Sequence, residues 1–261
     1  MNRIAALATT LTLLIATSAN SAFASEEGQK RRYETIWTIK ANPAQLGARS
    51  VAVTQTILEQ RLLPLGLAVA DEDIRSASGE ILVNKGVQLF QLQIATGRTF
   101  CVADVPRPTA WRSFMLGGGN LQLCLVDADA DGVFDGQFNG GNPMRGVPFI
   151  SGHQPKQPKQ ASGRYSLVDP AQFALNYTVR ISLLSVKTQA RGEPVIIYGI
   201  NFGDDQTRQG LTSALSGQLG SNSVLGAHWN ISKANENSIT VNVDQIMPEQ
   251  PFQVVRTVSY R

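Results

Sequence analysis

The chain has 261 residues, of which 43% are hydrophobic, and its 23 basic and 20 acidic residues give a formal net charge of only +3. This small excess does not make a cationic surface, so the composition argues against binding to nucleic acid. The length is enough for one large β domain or two small lobes.

Residues 1–24 are predicted to be a cleaved secretory signal. Arg3 supplies the positive start, an uncharged apolar stretch follows from Ile4 to Thr17, and Ala22-Phe23-Ala24 fits the small-x-small cleavage pattern. The apolar stretch is shorter than the roughly 18 residues that a transmembrane helix needs. We therefore expect cleavage after Ala24 and a mature chain, without a transmembrane segment, that is periplasmic or secreted.

Alternating polar and apolar residues predict β-strands in the first half of the chain. Residues 33–40 alternate as a half-buried strand, whereas residues 51–63 fit either a strand or a helix. Residues 81–83 and 87–94 are predicted to form a β-hairpin around Asn84-Lys85-Gly86. Two further strands are predicted at 99–103 and 121–126.

These last two strands contain the only cysteines, Cys101 and Cys124. An isolated pair in an oxidising compartment usually forms a disulfide. Two thiols do not make a zinc site, and no histidine lies between them to activate a nucleophile. The sequence predicts a structural disulfide that joins two strands of one sheet or of facing sheets.

Residues 136–164 are rich in Gly, Pro, Gln and Ser and are predicted to be loop. Their charged residues are all basic, which is compatible with an anionic contact surface but is more typical of a solvated connector. We place a flexible connector at 151–163, between an N-terminal lobe at 25–150 and a C-terminal lobe at 164–261. The sequence leaves open whether the two lobes form one domain.

The C-terminal third again has the pattern of β-strands. Residues 207–220 place Leu211 and Leu215 at helical spacing, but internal glycines limit any helix there to a short one. The sequence therefore predicts a mainly β fold, an antiparallel sandwich or barrel-like architecture with one or two short helices. The strands predicted in this part are 175–183, 195–200, 224–231, 238–243 and 252–260.

One motif follows the strand of Cys124 directly. It reads Asp127-Ala-Asp129-Ala-Asp131-Gly132-Val133-Phe134-Asp135, and it resembles the DxDxDG calcium loop of EF-hands, dockerins and thrombospondin-type repeats. Calcium prefers six to eight oxygen ligands, and carboxylates at alternate positions converge when the chain curls. The resemblance implies that the carboxylates of Asp127, Asp129, Asp131 and Asp135 and the backbone carbonyl of Val133 bind a calcium ion.

Two features depart from the EF-hand pattern. Phe138 occupies the twelfth position, where the motif has a bidentate Glu, and an apolar strand precedes the loop in place of a helix. The missing oxygens would come from Asn139, Asn142 or water, and the site would have an affinity of about 10⁻⁴–10⁻³ M. The alternative is an ordinary acidic turn. Repulsion among crowded carboxylates favours the ion.

An enzymatic interpretation uses the same residues. The strand that ends in Asp-x-Asp resembles the nucleophile motif of haloacid-dehalogenase-type phosphatases, which implies Asp127 as nucleophile and Asp129 as acid/base. The same resemblance implies Lys187 as the conserved lysine and a Mg²⁺ ion held partly by Asp204 or Asp205. However, this family has Thr or Val at the position of Asp131 and needs helices between parallel strands.

Other catalytic patterns are weak. No GxSxG, HExxH or P-loop motif is present, and His228, in a strand-like segment beside Trp229, is expected to be a packed or edge residue. The tryptophans Trp37, Trp111 and Trp229 are expected to be core rather than a carbohydrate-stacking surface. We therefore expect a non-catalytic binding or structural protein of the cell envelope. The binding partners considered are an envelope component and a glycan.

Overall fold

In the computed structural model, the described residues form three antiparallel β-sheets, and one of these sheets is a half-barrel. The predicted fold class, mainly antiparallel β with sandwich or barrel-like character, is confirmed. The predicted signal segment lies outside the described residues, among which no helix is long and apolar enough to cross a membrane. The structure describes residues 29–103, 120–142, 147–188, 194–203 and 213–254.

Strands are numbered along the chain and grouped by sheet. The first sheet contains β1 (Arg32–Glu34), β5 (Leu67–Ala70), β6 (Ile74–Ser76), β7 (Ile81–Val83), β8 (Gln88–Ile94), β9 (Arg98–Val102), β10 (Asn120–Asp127), β11 (Gly136–Asn142), β12 (Ser151–His153), β13 (Lys159–Ser162) and β14 (Tyr165–Val168). The second contains β2 (Trp37–Ile39), β4 (Thr56–Pro64), β15 (Thr178–Thr188), β16 (Pro194–Gly203), β17 (Ser213–Gly217) and β21 (Gln250–Phe252). The third contains β3 (Gly47–Ala52), β18 (Gly220–Val224), β19 (Ala227–Asn235) and β20 (Ser238–Gln245).

Every sheet combines strands from the two predicted lobes. In the first sheet β14 pairs with β5, in the second β15 pairs with β4, and in the third β20 pairs with β3. The chain ranges 25–150 and 164–261 are therefore joined by backbone hydrogen bonds in all three sheets.

The loop predicted at 136–164 contains three strands, β11, β12 and β13, and the last two fall within the expected connector at 151–163. β12 pairs with β1, and β13 pairs with β11 and β6. Most side chains of β12 and β13 are exposed. The hydrophobic pattern missed these strands because backbone pairing does not require apolar side chains, either for β12 at the edge of the sheet or for β13 between β11 and β6.

Other local expectations also need correction. β7 and β8 are strands, but β7 pairs with β6, whereas β8 lies between β1 and β9. β8 is central because it buries Leu89, Phe90 and Leu92 on both of its faces. The ambiguous segment 51–63 contains the end of β3, a turn at 53–54 and most of β4, and no helix. In 207–220, residues 213–217 form β17, and residues 207–212 lie outside the described part. The described residues contain two short 3-10 helices, Pro43–Gln45 and Pro170–Gln172.

The disulfide prediction is confirmed. Cys101 in β9 and Cys124 in β10 lie directly opposite each other in neighbouring strands, with 4.0 Å between their Cα atoms, and their sulfurs are bonded. The disulfide therefore joins adjacent strands of the first sheet rather than two facing sheets.

The two faces of the first sheet contact different hydrophobic cores. Cys124 and Val126 of β10 belong to the larger core, which also buries Trp37 and Trp229 completely; Trp111 lies outside the described residues. Leu125 belongs to the smaller core. Because side chains alternate along a strand, Asp127 follows Leu125 to the side of the smaller core.

Candidate metal site

The acidic loop, Asp127–Asp135, joins β10 to β11. It is closed at its base by the pairing of Val126 with Gly136 and by a hydrogen bond from the backbone N–H of Asp135 to the carbonyl of Val126 (2.8 Å). Asp127 is the last residue of β10 and is completely buried. A buried carboxylate is costly unless hydrogen-bond donors satisfy it.

Backbone donors from the loop itself provide part of that compensation. The N–H of Asp131 donates to Oδ1 of Asp127 (3.2 Å), and the N–H of Gly132 donates to Oδ2 (3.1 Å). The chain can return to Asp127 because Ala130 and Gly132 adopt left-handed backbone conformations, with φ of 63° and 92°. Glycine adopts this conformation without a steric penalty. The loop therefore curls around the carboxylate of its own first residue.

A side chain from outside the loop provides a third donor. The hydroxyl of Tyr165, at the start of β14, donates to Oδ2 of Asp127 (2.5 Å). Burial, and second the hydrogen bond to Asp127, raise the pKa of Tyr165 to about 12. The pKa of Arg98 is raised by its hydrogen bond with Tyr165 and also by the charge of Asp127. Arg98, which lies opposite Asp127 in the β9–β10 ladder, thus places a positive charge near the Tyr165–Asp127 hydrogen bond.

Aromatic packing fixes the loop to the smaller core. The ring of Phe134 stacks on that of Tyr165 with 4.5 Å between centroids, and Phe100 of β9 contacts both rings. Phe134 is 1% exposed. The loop conformation therefore does not depend on an ion alone.

Three carboxylates of this loop, one buried and two exposed, lie close together. One ligand oxygen each of Asp127, Asp129 and Asp135 lies within 4.8 Å of the others. Asp129 and Asp135 are exposed, and Asp135 Oδ2 accepts a hydrogen bond from the N–H of Ala128 (2.7 Å). A carboxylate offers about four acceptor positions. The three donors to Asp127 leave one for a cation.

Not all of the sequence-predicted ligands belong to this group. The carboxylate of Asp131 lies outside it, and its Oδ1 accepts a hydrogen bond from the N–H of Val133 (2.8 Å). Val133 also forms a backbone bridge with Arg164, and the predicted role of its carbonyl as a ligand stays a prediction. Asn139 is exposed on β11, and the side chain of Asn142 is not among those described. The three carboxylates of Asp127, Asp129 and Asp135 can hold a metal ion.

Sequence reasoning did not find Tyr165 or Arg98. Tyr165 lies 38 positions after Asp127, and no motif links the two. Arg98 pairs with Asp127 across the β9–β10 ladder, a register that is fixed by the neighbouring Cys101–Cys124 pair. Pairing Cys101 with Cys124 in register would have predicted from the sequence that Arg98 lies opposite Asp127. No local sequence pattern predicts the contact between Tyr165 and Asp127.

The structure places the phosphatase residues in an unsuitable fold. Lys187 lies on β15 in the second sheet, Asp127 lies at the end of β10 in the first, and Asp204 and Asp205 are outside the described residues. The fold of haloacid-dehalogenase-type phosphatases requires parallel strands joined by crossover helices. In the described part of the chain, the pairs of β10 with β9 and with β11 are antiparallel.

Comparison with known proteins identifies no relative of this chain. Neither a protein-family model, nor a curated protein sequence, nor a solved structure matches the chain.

Proposed function

We propose that this protein is an exported binding or structural protein of the cell envelope whose acidic loop is stabilised by a calcium ion. The observation that carries the proposal is the convergence of Asp127, Asp129 and Asp135, with ligand oxygens within 4.8 Å of one another. Hard oxygen ligands of this kind suit calcium. The ion would neutralise the loop and give it a structural rather than a catalytic role.

The surroundings of the loop support a cation. Segment 163–166 pairs with the loop on one side, through Val133 and Arg164, and on the other side contacts an acidic turn. In that turn Glu72 accepts a hydrogen bond from the N–H of Arg164, and Asp71 accepts one from Ser166. These two carboxylates add negative charge across segment 163–166 from the loop, where they partly offset the positive charge of the Arg164 side chain.

The disulfide supports the proposed location. Such bonds persist in oxidising compartments, and Cys101–Cys124 is consistent with a protein outside the cytoplasm. Periplasmic or secreted location after cleavage at Ala24 belongs to the proposal. A rigid loop beside the basic residues Lys156, Lys159 and Arg164 would present a contact surface to an envelope component or a glycan.

Calcium titration calorimetry on the full chain tests the ion. The proposal expects one site with a dissociation constant of about 10⁻⁴–10⁻³ M, and loss of binding in the double variant Asp129→Asn/Asp135→Asn. Glu236→Gln is the matched control because Glu236 is an exposed acid in the β19–β20 turn, remote from the loop in the chain. If the wild-type chain shows no heat of binding when calcium is added, the proposal is contradicted. Hydrolysis of an aryl phosphate with Mg²⁺, abolished by Asp127→Asn, would favour the phosphatase instead.

A further inference from the structure

The outer face of the third sheet carries a polar group that is independent of the acidic loop. β18 and β19 are joined by Leu225 and Gly226, whose φ values of 51° and 75° are both left-handed. Such a two-residue turn fixes the register of a hairpin. It pairs Ser223 with His228, and it brings Ser221 diagonally across from the same histidine. Diagonal cross-strand neighbours are within reach of long side chains.

A β-bulge brings a carboxylate to the other side of this histidine. His228 lies opposite Gln245, whereas the next residue, Trp229, lies opposite Val243. This shift leaves Asp244 as the extra residue of β20, beside His228. Bulges are over-represented next to active sites, where they redirect a side chain. Trp229 and Val243 are buried on the inner face, and Asp244 is exposed on the outer one.

The three side chains lie next to one another in the order Ser221, His228, Asp244. Ser221 Oγ and His228 Nε2 are hydrogen-bonded at 2.7 Å, and His228 Nδ1 lies 3.5 Å from Asp244 Oδ2. The second distance is longer than a standard hydrogen bond, but such contacts are often looser before substrate binds. Two amides orient the carboxylate: Asn230 Nδ2 donates to Oδ2 (2.7 Å), and Asn242 Nδ2 donates to Oδ1 (2.5 Å).

We propose that Ser221 is an activated nucleophile, with His228 as its general base and Asp244 as the residue that positions the histidine, and that this face hydrolyses short-chain carboxylic esters of polar alcohols. The order of atoms, Ser Oγ to Nε2 and Nδ1 to carboxylate, is the one that nucleophilic acyl transfer requires. The polar character of the substrate follows from Asn230 and Asn242, which lie beside these side chains on the exposed outer face.

The reaction proceeds in two balanced steps. Ser221 Oγ attacks the ester carbonyl carbon while its proton passes to His228 Nε2, and the alcohol leaves with that proton, so that an acyl–serine ester remains. Water then attacks this ester, gives its proton to His228, and releases the carboxylic acid as the proton returns to Ser221 Oγ. In the described part of the sheet, β18 pairs only with β19. Its outward backbone N–H groups can therefore donate to the oxyanion that develops in each step.

A fluorophosphonate probe and p-nitrophenyl acetate test the proposal on the full chain. We expect the probe to label Ser221 alone, as located by peptide mass spectrometry, and p-nitrophenolate release to fall at least about 100-fold in Ser221→Ala and in His228→Gln. Asp244→Asn should lower kcat and leave KM unchanged, because it affects only the orientation of the base.

Ser223→Ala is the matched control, since Ser223 is an exposed serine on the same strand and lies directly opposite His228. It should retain both labelling and turnover. All four substitutions are on the outer face, so unchanged melting temperatures verify that each variant is folded. Absence of labelling at Ser221, or equal rates for wild type and Ser221→Ala, would overturn the proposal.

Discussion

The hydroxyl of Tyr165 donates a 2.5 Å hydrogen bond to Oδ2 of Asp127, across 38 positions of sequence. The same tyrosine stacks its ring on Phe134 of the acidic loop. One side chain from β14 therefore satisfies the buried carboxylate and also packs against the loop that surrounds it. The shape of the loop depends on a residue that the calcium-loop motif does not contain.

Tyr165→Phe tests this dependence because it removes the hydroxyl and keeps the ring. We expect the free energy of unfolding, measured by urea denaturation, to fall by about 1.5–3 kcal/mol, the range for hydrogen bonds to charged groups. Asp127→Asn should also destabilise the protein. Because the two side chains share one bond, the double variant should lose less than the two single losses combined. Strict additivity would show that the bond contributes nothing.

Alkaline unfolding tests the same tyrosine through its pKa. Tyr165 titrates near pH 12 in the folded protein and has an ordinary value of 10.0. Above pH 10 the unfolded chain loses this proton first, so it binds fewer protons than the folded chain, and stability falls as the pH rises from 10 to 12. Tyr165→Phe should therefore show a shallower loss of stability over this window than wild type. Urea denaturation at pH 9.5 and pH 11.5 measures the difference, and equal slopes would contradict it.

Gly97, in the turn between β8 and β9, lies against the backbone of the acidic loop. A Cβ atom there would lie 2.8 Å from the carbonyl oxygens of Asp127 and Ala128. Gly97→Ala should destabilise the protein by more than Gly86→Ala, which shares a left-handed φ but has no atom within 4 Å of its Cβ position. The control should lose only about 1–2 kcal/mol from backbone strain. Thermal unfolding of both variants checks the order, and equal losses would refute the contact.

The disulfide should stabilise the fold by restricting the unfolded chain. It closes a sequence separation of 23 residues, and loops of this size are stabilised by about 3 kcal/mol. Guanidinium denaturation of the double variant Cys101→Ala/Cys124→Ala should show a loss of that order. Reduction of the wild type should have a similar effect, while a reducing agent should not affect the variant. A wild type that unfolds at the same midpoint with and without reduction would contradict the prediction.

The sequence predicted local structure better than strand pairing. The strand from Asn120 to Asp127 and the loop after it were identified because alternation and the DxDxDG spacing are local signals. The pairing of residues 81–83 with 87–94 was wrong because a strand selects its neighbours by total burial. β8 buries apolar residues on both faces and therefore becomes central. β12 and β13 lack an alternating apolar pattern, since Ala161 is the single buried residue of these two strands.

The same limit applies to the two sites. The DxDxDG motif predicts that Asp127, Asp129 and Asp135 form a site. The position of Tyr165 beside Asp127 depends on tertiary packing, which no local motif predicts. Ser221, His228 and Asp244 lie on three successive strands, and the register that brings them together depends on a turn and a bulge. The sequence alone predicts His228 as a packed or edge residue, because it lies beside Trp229 in a strand-like segment.

Thermal unfolding with 10 mM calcium and with a chelator tests the central claim most directly. With a dissociation constant near 1 mM, calcium should add about 1.4 kcal/mol of stability and raise the melting temperature by several degrees. Asp129→Asn/Asp135→Asn should abolish this shift without destabilising the chelated protein, because both side chains are exposed. Equal melting temperatures of the wild type in calcium and in chelator would contradict a calcium-stabilised loop.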